Sequence, residues 1–125
     1  MTGRQARLAG AVLGALSVVL GAFGAHALAA RLSPADLQVY ETAARYQMYH
    51  AIALVALGYW LERGARPRLA WAARAWVLGT VIFSGSLYLL ALTGVRALGA
   101  VTPLGGLLLI IGWLLLAADA FRADR

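Results

Sequence analysis

Four long stretches of this chain carry no charged residue, and they constrain its fold more than any other feature. They cover residues 8–30, 46–61, 75–95 and 97–118, which is 23, 16, 21 and 22 residues. A helix needs about 20 apolar residues to cross the hydrocarbon core of a bilayer. The first, third and fourth stretches meet that length directly, and the second must borrow residues before Tyr46. Composition agrees: 62% of the 125 residues are hydrophobic and 13% are charged, where soluble domains carry about 25% charged residues. That composition argues against a soluble globular enzyme and against a disordered chain. With no cysteine, disulfides, thiolate metal sites and redox thiols are excluded.

Helix signals place the boundaries. Ser33-Pro34-Ala35-Asp36 offers a Ser N-cap, Pro at the first helical position and an acid in the first turn. The second helix therefore starts at Pro34 and takes in Asp36, Glu41 and Arg45. Thr102-Pro103 repeats the signal before the fourth stretch, and Pro67 opens the third helix. The predicted fold is all-α: a single membrane domain over residues 1–125, built as a four-helix bundle of two hairpins. Its helices cover about 8–30, 34–61, 68–95 and 102–120.

The net charge is +6 and all eleven basic residues are arginines. They lie between apolar stretches rather than in a block, which fits membrane topology better than nucleic-acid binding. Arg4, Arg7, Arg63, Arg66, Arg68, Arg74, Arg122 and Arg125 fall on one side of the predicted bundle; Arg31, Arg45 and Arg96 fall on the other. The positive-inside rule then puts both termini in the cytoplasm. Trp60, Trp71, Trp76 and Trp113 lie toward the same side, as an interfacial belt would. Residues 4–27 also resemble a secretory signal, with Ala25-His26-Ala27 as a small-x-small site. The apolar stretch is longer than a usual signal core and carries a packing face, so it is read as a first span.

That packing face is Gly10, Gly14, Ser17, Gly21 and Gly24, at steps of four, three, four and three. Gly105 and Gly112 mark the fourth helix, and Gly79 the third. Small residues mark contact faces because helices in lipid associate by close packing. They imply a tight bundle, or one face left for a second copy or a larger membrane complex.

Ionisable groups at membrane depth are costly and are functional candidates by default. The candidate polar cluster is His26, Tyr40, Glu41, Arg45, Tyr46, Gln47 and His50, with Tyr49 nearby. Tyr46 and His50 share a helical face with Gln47 and Ala43; Glu41 and Arg45 share nearly the opposite one, spaced for an ion pair. A hairpin centred near Leu32 brings His50 level with Gly14, which it faces if helices one and two pack closely, and His26 level with Gln38, one turn from Tyr40 and Glu41. His26 is then expected to bond Tyr40 or Glu41. His50 is expected to bond a carbonyl or a tyrosine such as Tyr88, or else to serve as a proton-relay or ligand-binding group. The two histidines lie roughly 18 Å apart along the axis, which rules against axial ligation of one haem. Two histidines are also too few for a zinc site, so no cofactor and no metal are expected.

Several segments are recognisable in order along nearly the whole chain. Gly21-Ala-Phe-Gly-Ala-His-Ala-Leu28, the run from Glu41 to Leu54 with its Tyr-Gln-Met-Tyr-His core, Phe83-Ser-Gly-Ser-Leu-Tyr88 and Val101-Thr-Pro-Leu-Gly-Gly106 resemble the signatures of one family. It is the YgdD/YwdK-like family of small integral membrane proteins, domain of unknown function 423. The resemblance implies a four-helix bacterial inner-membrane protein and brings no activity with it.

Three functions are compatible with these residues. One is a non-enzymatic accessory or self-associating bundle. Another is a small proton-coupled transporter, in which Glu41 or His50 replaces the helix-one acid of small multidrug exporters. The third is a lipid- or quinone-binding or -modifying protein using His50/Tyr46 and Glu41/Arg45. No nucleophile–base pair or phosphate loop supports catalysis, so the first is preferred.

Overall fold

The computed structural model describes residues 1–123; Asp124 and Arg125 lie outside the described residues. Four α-helices follow one another: α1 (Gly3–Phe23), α2 (Pro34–Leu61), α3 (Pro67–Thr93) and α4 (Thr102–Ala123). α1 runs on into a π-helical turn, Gly24–Leu28, and a 3₁₀ turn, Arg96–Ala100, leads into α4. No strand occurs among the described residues.

The end of each helix has a local cause. α2 begins at Pro34 as its sequence signal requires: the Ser33 hydroxyl accepts from the Asp36 amide at 3.1 Å. α1 begins five residues before the expected start, because Thr2 and Gln5 form a capping box. The Thr2 hydroxyl accepts from the Gln5 amide at 3.1 Å, and the Gln5 side chain accepts from the Thr2 amide at 2.9 Å. α3 stops at Thr93, short of the expected Val95. Gly94 takes the left-handed conformation, φ 71°, that ends helices without a Cβ penalty. Thr102 is the first residue of α4 rather than a flanking cap. Its hydroxyl donates to the Leu98 carbonyl at 3.3 Å and meets Ser86 Oγ at 2.6 Å, tying α3 to α4.

α1 packs on α2, α2 on α3, and α3 on α4; α1 and α4 share no close backbone approach among the described residues. The array is therefore open, with α2 and α3 central. Glycine sets two of the three seams. At the α1–α2 seam, a Cβ on Gly10 would lie 2.7 Å from the Ala51 carbonyl oxygen, and Gly24 admits the Tyr40 ring. At the α3–α4 seam, Gly105 lies on the Phe83 backbone and Gly112 under the Trp76 indole. Gly3 with Gly58, and Gly79 against Leu109, extend the two seams. Gly14 makes only ordinary contact with Ala51, and Gly21 faces open space, so the stripe on α1 does not act as one unit.

Two apolar clusters form the core. One gathers Leu54, Leu57, Leu69, Trp76 and Leu109 with small alanines; the other gathers Leu28, Tyr40 and Ala91. Three stretches are long and apolar enough to cross a membrane: Gly3–Leu28, Pro67–Thr93 and Arg96–Ala123. α2 has the length, at 28 residues, but carries Asp36, Glu41 and Arg45 in its first half.

Candidate functional site

Between the two apolar clusters, α2 turns a polar row inward. Ala43, Ala44, Gln47 and His50 are buried, while Glu41 and Arg45 are exposed on the other side of the helix. Gln47 and His50 thus part from Glu41 and Arg45 as the helical spacing predicts, but Tyr46, expected on the inner face with His50, is exposed.

His50, 4% exposed, is held at both ring nitrogens. Nδ1 lies 2.7 Å from the Tyr46 carbonyl oxygen, and Nε2 accepts the indole N–H of Trp113 at 3.0 Å. A carbonyl can only accept and an indole N–H can only donate. The ring is therefore the neutral tautomer with its proton on Nδ1. Trp76 packs edge-on to the same ring at 6.1 Å, and its own N–H donates to the Leu109 carbonyl at 3.2 Å. The two indoles lie 4.6 Å apart. His50 thus joins α2 to α3 and α4, rather than facing Gly14 on α1 as expected. Its neighbour Ala51 takes that place.

Gln47 is bridged in the same way. Its amide N donates to the Leu13 carbonyl at 2.8 Å, and its oxygen accepts from the Tyr88 hydroxyl at 2.7 Å. Tyr88 serves Gln47, not His50. Ser17 donates to the Ala44 carbonyl at 2.7 Å, and Ser84 to the Ala43 carbonyl at 2.8 Å. The row therefore stitches α1, α2 and α3 together through side chain-to-backbone bonds.

The remaining candidates separate. Tyr40, 1% exposed, donates to the Leu20 carbonyl at 2.6 Å, just before the π-helical turn. That bond replaces the expected one to His26, which is exposed and bonds neither Tyr40 nor Glu41. Glu41 and Arg45 form no ion pair. Pairing among the described residues is instead Arg7 with Glu62, and Arg66 with Asp119 at 2.8 Å. Tyr46 is 42% exposed and leans on Phe83, with ring centroids 5.1 Å apart. Among the described residues, no group of three or more His, Cys, Asp or Glu side chains converges to hold a metal.

The tryptophans correct a further expectation. Trp60 and Trp71 are exposed at the arginine-rich end, stacked beneath Arg66 and Arg74. Trp76 is buried, and Trp113 belongs to the polar row. A signal for Trp113 was present: it stands halfway along α4, and an indole N–H at that depth needs a partner.

An all-helical array with three bilayer-length apolar stretches, its polar side chains turned onto its own backbone, defines a small integral membrane protein. Residues 20–106 match the family model described as a protein of unknown function, DUF423. A UPF0382 membrane protein of Staphylococcus haemolyticus is 48% identical over 113 residues, covering 90% of this chain and 92% of that protein. The UPF0382 membrane protein YwdK of Bacillus subtilis is 40% identical over 117 residues, covering 90% and 93%. The UPF0382 inner membrane protein YgdD of Escherichia coli is 38% identical over 125 residues, covering 100% and 95%. The chain belongs to the DUF423 (UPF0382) family of membrane proteins, whose names assign no activity. No solved structure matches it.

Proposed function

We propose that the protein is a non-enzymatic, four-span scaffold of the bacterial plasma membrane. Both termini are cytoplasmic, and the outer faces of α1 and α4 are available to a second copy or a larger membrane complex. One observation carries the reading: both nitrogens of His50 and both amide atoms of Gln47 are taken up by protein groups. A proton relay or a ligand site needs such groups turned toward a substrate or water. Here they lock helices instead.

Four crossings are supported by the α1–α2 seam. It runs from Gly3 beside Gly58 to Gly24 beside Tyr40, so a bilayer crossed by α1 is crossed by α2. The charged first turns of α2 then lie at the headgroup level. Orientation rests on the arginine asymmetry, in which acidic partners count for little. The open edges of α1 and α4 support association.

The transporter reading loses its polar pathway, since Glu41 and Arg45 lie on the outer face of α2. A cytoplasm-active and a periplasm-active reporter fused in turn to each end test the topology, and cytoplasmic signal from both is expected. Proton flux in vesicles tests the rest. A pH-driven flux that His50→Phe abolishes would overturn the scaffold reading.

A further inference from the structure

α3 and α4 leave a groove of about 340 Å³ on their outer side. Its walls are Ala75, Leu78, Leu108, Ile111 and Leu115, and its mouth is formed by Trp71 and Arg74. The order is amphipathic: one cation and one indole at the arginine-rich end, aliphatic side chains toward the middle of the span. Arg74 stands seven residues beyond Pro67, about 10 Å along α3. It is exposed and has no carboxylate partner among the described residues. Its described contact is the Trp71 ring, 4.6 Å from the guanidinium carbon. A cation on the lipid-facing side of an apolar helix is costly unless it meets an anion or reaches the interface. Arg7 and Arg66 are supplied with Glu62 and Asp119 by the chain itself. Arg74 is not.

We propose that this groove binds an anionic phospholipid. The phosphate takes the fork of the Arg74 guanidinium, whose planar donors fit two phosphate oxygens. Trp71 lies at the headgroup level, where its amphipathic ring is favoured. One acyl chain lies along Leu78 and Ile111. A lipid is chosen over a soluble anion because the walls below Arg74 are aliphatic, and over a second protein copy because a single cation heads an otherwise uncharged groove. The site is independent of the orientation proposed above and of the polar row.

The test is native mass spectrometry of the full chain in non-ionic detergent, with phosphatidylglycerol and phosphatidylcholine added in equal amounts. Both lipids offer a phosphate, but the trimethylammonium of phosphatidylcholine cancels its charge, so the chain is expected to retain the net-anionic phosphatidylglycerol about fivefold better, the scale of one arginine facing an anionic headgroup. Arg74→Gln removes that preference. Leu78→Trp, at a position 53% exposed and so able to take bulk without disturbing the core, blocks the groove and lowers retention while leaving Arg74 in place. Arg63→Gln, at the same end but outside the groove, changes nothing, and added inorganic phosphate does not displace the lipid. Equal retention of the two lipids, an equal loss in Arg63→Gln, or no loss in Leu78→Trp overturns the proposal. Each result is independent of where the termini lie, so it separates from failure of the scaffold reading.

Discussion

Trp113 donates its indole N–H to Nε2 of His50 across 3.0 Å, joining the middle of α4 to the middle of α2. The backbones of these two helices do not approach closely among the described residues, so they are joined through side chains, this bond among them. His50→Phe keeps the ring volume but leaves the indole N–H of Trp113 without its acceptor. The expected cost is about 1–3 kcal/mol, the penalty of an unmade bond where water is scarce. Trp113→Phe should cost a similar amount, and the double variant less than the sum. Thermal unfolding in detergent, followed by helical circular dichroism, measures all three.

The glycines on α1 and α4 are not equivalent. A Cβ at Gly105 would lie 2.8 Å from the Phe83 Cα, a backbone atom that cannot move aside, whereas Gly21 has nothing within 4 Å. Gly105→Ala should therefore part the α3–α4 seam and cost about 1–3 kcal/mol. Gly21→Ala should be neutral, or gain up to about 1 kcal/mol from helix propensity. Melting temperatures of the two variants decide the matter, and equal effects would contradict the packing described.

The relative level of α1 and α2 along their axes was legible in the sequence, and rotation about the helix axes was only partly so. The hairpin arithmetic brought His50 level with Gly14, and Ala51, one residue on, does meet Gly14. What the arithmetic missed is which neighbour His50 faces: Trp113 on α4, not Gly14 on α1. In a soluble helix the apolar stripe points to the core. In lipid the outward face is apolar too, so that pointer is lost and small residues serve instead. The Gly10–Ala51 contact follows from them; the reach of His50 to Trp113 does not. The start of α1 was hidden because Arg4 and Arg7 bounded the apolar stretch, although Thr2-x-x-Gln5 already spelled a capping box. Ser33-Pro34 had no such interference, and α2 begins where it says.

Glu41 and Arg45 have the spacing of an ion pair and form none. Both are exposed on the outer face of α2. Glu41→Gln and Arg45→Gln should each shift stability by less than about 0.5 kcal/mol. Their double-mutant coupling should vanish within error at low salt, where any attraction is largest. A coupling well above that scale, read from unfolding midpoints, would restore the pair.

Thr80 is 2% exposed, and its hydroxyl has no hydrogen-bond partner, whereas Ser84, one turn on, donates to Ala43. The two hydroxyls therefore predict opposite outcomes. Thr80→Val swaps an unmade bond for a methyl of nearly the same shape. An orphaned buried hydroxyl costs about 1–3 kcal/mol, so stability should rise or stay level. Ser84→Ala removes a made bond between α2 and α3 and should cost about 0.5–1.5 kcal/mol. Denaturation of the two variants side by side checks the sign. A Thr80→Val that unfolds earlier than the parent would mean that its hydroxyl has a partner after all.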